Sequence, residues 1–160
     1  MLTVNVICIG KLKEQYLRDA STEYQKRLNA FCKLNVIELN EYRISDNPSK
    51  TEIQNCIEKE GFLIKSKIPK DSFVVPLCIE GREFSSTELS TEIEKISLSG
   101  QSSITFIIGS SYGLSDDVKN CGKLKLSMSR MTFPHQLARV MLLEQIYRCF
   151  QIISNGKYHK

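Results

Sequence analysis

Three short segments of the 160-residue chain concentrate residue types that can hold a small ligand, and each lies at the end of a predicted strand. They are Leu77-Cys78-Ile79-Glu80-Gly81-Arg82, Gly109-Ser110-Ser111-Tyr112-Gly113-Leu114 and Met128-Ser129-Arg130-Met131-Thr132-Phe133-Pro134-His135. A fourth, Lys157-Tyr158-His159-Lys160, closes the chain. Gly109 and Gly113 permit close approach of a backbone to a ligand, with N–H groups and little side-chain bulk, although glycine after a strand also serves as a plain turn. The spacing is not that of a phosphate-binding P-loop, because no Gly-Lys-Ser/Thr follows. No Gly-x-Gly-x-x-Gly follows the first strand, so a dinucleotide site is unsupported.

Met131, Phe133 and Pro134 can wall a purine pocket while backbone amides read its edge, or can simply plug a core. His135 can touch substrate, accept a proton or bond across a turn. In the tail, lysines can hold phosphate and Tyr158 or His159 can stack on an unpaired base; a frayed basic end is the alternative.

The pattern of apolar residues sets the elements that must carry these segments. Val4–Ile9 is a nearly continuous apolar run, as in a strand buried on both faces. A helix from Glu14 to about Phe31 carries the stripe Leu17, Ala20, Tyr24, Leu28 and Phe31. Leu34–Leu39 is a second strand, and residues 40–48 a polar loop. Ser49-Lys50-Thr51-Glu52 and Ser85-Ser86-Thr87-Glu88 have capping-box spacing. They open helices that carry Ile53, Ile57 and Ile64, and Leu89, Ile93 and Ile96.

Phe73–Ile79 is a third strand, and Pro76 argues for a sheet edge or a distorted strand end. Ser103–Ile108 is the fourth strand. A short helix starts after Ser115, with Asp116 and Asp117 in its first turn. Lys123–Met128 is a fifth strand, and Gln136–Ile153 a long final helix. The alternation predicts a single α/β domain over residues 1–160, a mostly parallel sheet covered by helices. Ligands in such sheets bind beyond the carboxyl ends of the strands, so the three segments converge if their strands are neighbours. The apolar surface of the last helix (Leu137, Ala138, Val140, Met141, Leu142, Leu143, Ile146, Tyr147, Phe150, Ile153) exceeds one stripe. That predicts a second copy of the chain against it, full burial within one chain being the alternative.

Composition narrows the class. Hydrophobic residues make up 41% and charged residues 25%, as in ordinary folded domains. Twenty-two Lys and Arg against 18 Asp and Glu give +4, a slight lean toward an anionic partner. No two of the six cysteines lie within about twenty residues, and most have apolar neighbours. They read as small buried hydrophobes in a reducing compartment, not as disulfides or zinc ligands. With only His135 and His159 besides, no metal site is expected. The start has no signal-peptide pattern and no window suits a membrane span, so a cytoplasmic protein with no membrane partner is expected.

Taken together, Ile108-Gly109 with Gly113-Leu114, Met131-Thr132-Phe133-Pro134-His135, Arg139-Val140, Glu144-Gln145-Ile146-Tyr147-Arg148 and the Tyr158-His159 ending resemble one family over the full length. It is the SPOUT-superfamily methyltransferases that modify N3 of a pseudouridine in large-subunit ribosomal RNA. The resemblance implies S-adenosylmethionine as cofactor, held by Leu77, Gly109, Met128, Ser129, Arg130, Met131, Thr132 and Phe133. It implies a C-terminal trefoil knot, which strand patterns cannot reveal. A homodimer acting on the ribosome, with His135, Arg139, Tyr158 and His159 near the RNA, is implied as well. The chain departs from the family in having Ser110 where a second glycine is common. Transfer RNA as substrate, or a non-catalytic RNA- or nucleotide-binding module, are the alternatives to weigh.

Overall fold

A computed structural model describes residues 1–160. In chain order the elements are β1 (Thr3–Ile9), α1 (Gln15–Leu28), β2 (Lys33–Leu39), α2 (Lys50–Lys67), β3 (Phe73–Glu83), α3 (Ser86–Leu98), β4 (Ser103–Ile108), α4 (Asp116–Asn120), β5 (Leu126–Ser127) and α5 (His135–Ile153). The five strands form one sheet in the order β2-β1-β4-β3-β5, and every pairing is parallel.

Alternation along the strands assigns the two faces. Val4, Val6 and Cys8 of β1 and Ile104, Phe106 and Ile108 of β4 meet Leu28 of α1, Leu89, Ile93 and Ile96 of α3, and Leu142, Leu143, Ile146 and Cys149 of α5. On the opposite face Ile7, Ile9 and Ile107 meet Ile64 of α2 and Val118 of α4. Burying one such side chain contributes about 1.5–3 kcal/mol. Polar side chains along the middle of the sheet are joined to one another. Asn35 Nδ2 donates to Asn5 Oδ1 (2.9 Å), and Asn5 Nδ2 donates to Thr105 Oγ1 (3.2 Å), linking β2, β1 and β4.

Both capping boxes form, with Ser49 accepting from Glu52 N–H and Ser85 from Glu88 N–H, each at 3.1 Å. Ser115 caps α4 by accepting from Val118 N–H. Two expectations need correction. Of the two readings of Pro76 the sheet edge fails, because β5 lies outside β3, while the distortion is present in the irregular ladder just beyond it. Pro76 is tolerated there because pairing with β4 ends at Pro76 and pairing with β5 begins at Leu77, so the missing N–H falls where the strand changes partners. The fifth strand shrinks from the expected Lys123–Met128 to Leu126–Ser127, since β3 offers it a ladder broken between Leu77 and Arg82.

The last helix packs against α1 and α3 on one side only. Leu137 remains exposed, and Val140 and Met141 are half-buried, so burial within the chain is incomplete. All six cysteines are free, and four of them are fully buried. No group of three or more His, Cys, Asp or Glu side chains is placed to hold a metal ion. No helix is long and apolar enough to cross a membrane.

Candidate functional site

The loops that leave β4 and β5, together with the irregular stretch of β3 beyond its pairing with β4, enclose a cleft of about 830 Å³. Its volume falls in the range of small-molecule sites, about 300–1,000 Å³. That stretch of β3 contributes Leu77 to Glu80, the β4 end Ile108 to Leu114, and the β5 end Met128, Ser129 and Met131 to His135. Leu77, Ile108, Leu126, Met128 and Phe133 make the walls mostly apolar, while the glycine turn adds backbone polar groups.

The glycine turn is shaped by its residues. Gly113 has φ of +88°, a region that side chains disfavour. Gly113 N–H donates to Ser110 O at 2.9 Å, which closes the turn. Gly109 owes its identity to space. A Cβ there would lie 2.7 Å from Gly113 O and 2.9 Å from Leu114 Cδ2. The β5 loop is fixed by Ser129, whose hydroxyl accepts from Met131 N–H at 3.0 Å while its carbonyl accepts from Ser127 Oγ at 3.1 Å.

Of the eight residues read from the sequence as ligand-binding, seven line the cleft: Leu77, Gly109, Met128, Ser129, Met131, Thr132 and Phe133. Arg130 does not. Its side chain is turned to solvent, 3.8 Å from Glu83. His135 lines the cleft at the start of α5. Burial holds its imidazole below the usual range, and nearby Arg139 and Lys13 add to this against the pull of Glu41. The site therefore offers a neutral ring at pH 7.

Arg139 is placed behind the cleft, only 2% exposed, and not in contact with it. One guanidinium nitrogen donates to Glu38 Oε2 at 2.6 Å and another to Gly10 O at 2.9 Å. Together with Gln136 Oε1, which accepts from Lys13 N–H at 2.8 Å, it ties the β1 loop to the first turns of α5. Through that tie it sets the position of His135.

Tyr158 and His159 dock elsewhere. Tyr158 donates to Glu144 Oε1 (3.1 Å), packs edge-on to Tyr147 (4.8 Å between centroids) and lies under Arg148. His159 Nδ1 is 3.2 Å from Arg148. Glu144 and Arg148 sit about 14–20 Å beyond His135 along α5 at 1.5 Å per residue. Within one chain the tail and the cleft are separate. Burial first, then Tyr24 and Glu144, pushes the Tyr158 phenol up to about 12, so it acts as a donor and not as a base.

Sequence reasoning missed two features. Lys119 of α4 pairs with Glu80 at the cleft, which raises the lysine and lowers the carboxylate from their ordinary values. Nothing local to Lys119 signals this, because 39 residues separate the partners. The second is Glu60 of α2, buried at 2% exposure, whose Oε1 accepts from Ser110 Oγ at 2.8 Å. Cys78 lines the cleft, but burial pushes its thiol up and keeps it from serving as a ready nucleophile.

Comparison with known proteins points the same way as the geometry. Residues 2–159 match a family model described as "Predicted SPOUT methyltransferase". The chain is 49% identical over 159 residues to the "Ribosomal RNA large subunit methyltransferase H 1" of Clostridium perfringens (strain SM101 / Type A), covering 99% of this chain and all of that protein. It is 48% identical, with the same coverage, to "Ribosomal RNA large subunit methyltransferase H" of Clostridium botulinum (strain Okra / Type B1). Among solved structures, a probable methylase family protein from Haemophilus influenzae Rd KW20 matches with a TM-score of 0.57 at 11% identity, covering 98% of this chain and 70% of that one, a likeness of fold.

Proposed function

The chain belongs to the SPOUT methyltransferase family, and from that premise we propose that it transfers a methyl group from S-adenosylmethionine to N3 of a pseudouridine in large-subunit ribosomal RNA. The observation that carries this reading is the convergence of the β4 and β5 loops and the irregular part of β3 on one cleft, with Gly109 making room that any Cβ would fill.

The residues present fit the cofactor. The apolar wall of Leu77, Met128 and Phe133 suits an adenine, and the closely approaching turn at Gly109 to Gly113 suits a polar edge that needs backbone partners. Ser110 does not obstruct this, because its hydroxyl is spent on Glu60. When bound, the cofactor supplies a methyl group made electrophilic by its sulfonium. The protein's part is to hold the target base beside it, and such positioning is worth up to about 7–11 kcal/mol in favourable cases. N3 must also lose a proton. His135 is a neutral acceptor at the cleft, on a helix start tied to the β1 loop by Arg139 and Gln136.

The tail completes the site from a second subunit. Its separation from the cleft along α5, and the apolar surface left at Leu137, Val140 and Met141, support a homodimer in which Tyr158 and His159 of one copy face the cleft of the other. There Lys157, Lys160 and Arg148 would meet phosphate and Tyr158 or His159 an unpaired base.

The experiment is methyl transfer from labelled S-adenosylmethionine to isolated 70S ribosomes, naked large-subunit RNA and transfer RNA in parallel, with identification of the labelled nucleoside. Label in 3-methylpseudouridine from ribosomes is the expected result. Label in transfer RNA alone reassigns the substrate. Folded protein that binds RNA but not the cofactor identifies a non-catalytic module.

A further inference from the structure

We propose that Glu60 is a positioning residue for the cofactor cleft, gripping its glycine turn from behind through the hydroxyl of Ser110. The inference deepens the proposed function and rests on it.

The turn from Ser110 to Gly113 is closed by its own hydrogen bond and ends at a glycine with positive φ, so little within it fixes its tilt toward the cleft. Buried Leu114 holds its far end to the core, and at its near end the anchor is the Ser110 Oγ to Glu60 Oε1 bond, made across 50 positions of sequence. The base of that anchor is rigid. Glu60 lies in the third turn of α2, and its neighbour Gly61 is so close to Ser115 that a Cβ would collide with the serine's hydroxyl. α2 therefore sits directly against the segment that continues the turn.

Glu60 is a poor choice for packing alone. Its Oε2 is buried without a hydrogen-bond partner, and burying a carboxyl carries a desolvation cost that a methionine of similar volume would not. The surroundings reinforce the point. Burial raises the carboxyl from its ordinary value and Glu41 adds to this, partly offset by Ser110, the Tyr42 amide and the Cys56 thiol. Of the groups it faces, the one that lines the cleft is Ser110. A hydrogen bond to a carboxyl inside protein is among the stronger kinds and can select one tilt of the turn.

The test separates holding from packing. S-adenosylmethionine affinity is measured by calorimetry, and thermal stability in parallel, for the wild-type chain, E60M, E60Q, S110A and the double variant E60M/S110A. E60M is expected to bind the cofactor about tenfold more weakly while melting no lower than wild type. S110A should show the same loss, and it keeps the test valid if E60M misfolds. The double variant should lose about tenfold and not the hundredfold product of independent effects. E60Q keeps an acceptor for the hydroxyl and should restore affinity to within about twofold. Wild-type affinity in S110A or E60M, or losses that multiply, overturns the role of Glu60. A wild-type chain that binds no cofactor overturns the proposed function itself, and the inference with it.

Discussion

Replacing Gly109 with alanine adds one methyl group at the most crowded point of the cleft. The new Cβ would stand 2.7 Å from Gly113 O, 2.8 Å from Gly113 C and 2.9 Å from Leu114 Cδ2. Two of the three are backbone atoms of the turn, so no side-chain rotation can clear them. The turn must move outward by several tenths of an ångström, and it forms one wall of the cleft. Over-packing of this kind costs about 1–3 kcal/mol. Gly109 does not have positive φ, so the cost is steric and should grow with side-chain size. If the bound cofactor needs the original turn, the penalty appears in affinity, and S-adenosylmethionine binding should weaken about 5- to 150-fold, at tenfold per 1.4 kcal/mol. Gly109→Val should abolish measurable binding. Isothermal titration of folded protein, checked by its melting curve, is the assay. Gly109→Ala with unchanged affinity would refute the placement of the cofactor against this turn.

Other perturbations address the remaining parts. The rising limb of the transfer-versus-pH curve should lie below 6.5, because His135 is held below that value and is deprotonated as pH climbs through its own; His135→Gln should remove that limb while leaving cofactor affinity nearly intact. Arg139→Met strips Gly10 O of its donor and leaves Glu38 unpaired. Unfolding by urea should show a loss of about 2–4 kcal/mol, less than a fully buried pair because Glu38 is partly exposed. Deleting Tyr158 to Lys160 should spare cofactor binding, since no residue of the tail lines the cleft of its own chain, yet cut transfer to ribosomes at least tenfold. Turnover at the wild-type rate would remove the tail from the substrate site.

The local rules worked where a residue's role is set by its near neighbours. Ser49 and Ser85 cap helices because their hydroxyls reach an N–H three residues on, and Ser115 does the same. The runs at Val4–Ile9 and Ser103–Ile108 are mostly apolar because β1 and β4 are central and both their faces are covered. The glycine turn and the Met128 to His135 loop were legible as cleft-lining segments, because strand ends followed by glycine or proline carry information at short range.

What the sequence by itself determined is thus the list of elements, the parallel class of the sheet and most of the cleft's lining. The tertiary structure decided strand order, which put β3 inside the sheet despite Pro76. It turned Arg139 inward to Glu38 and Gly10, turned Arg130 out to solvent, and set Glu60 beneath Ser110 and Lys119 beside Glu80. The physical reason is reach. Caps and apolar stripes act over three or four residues, whereas these pairings join groups 39 to 129 positions apart, brought together only once helices and strands have packed.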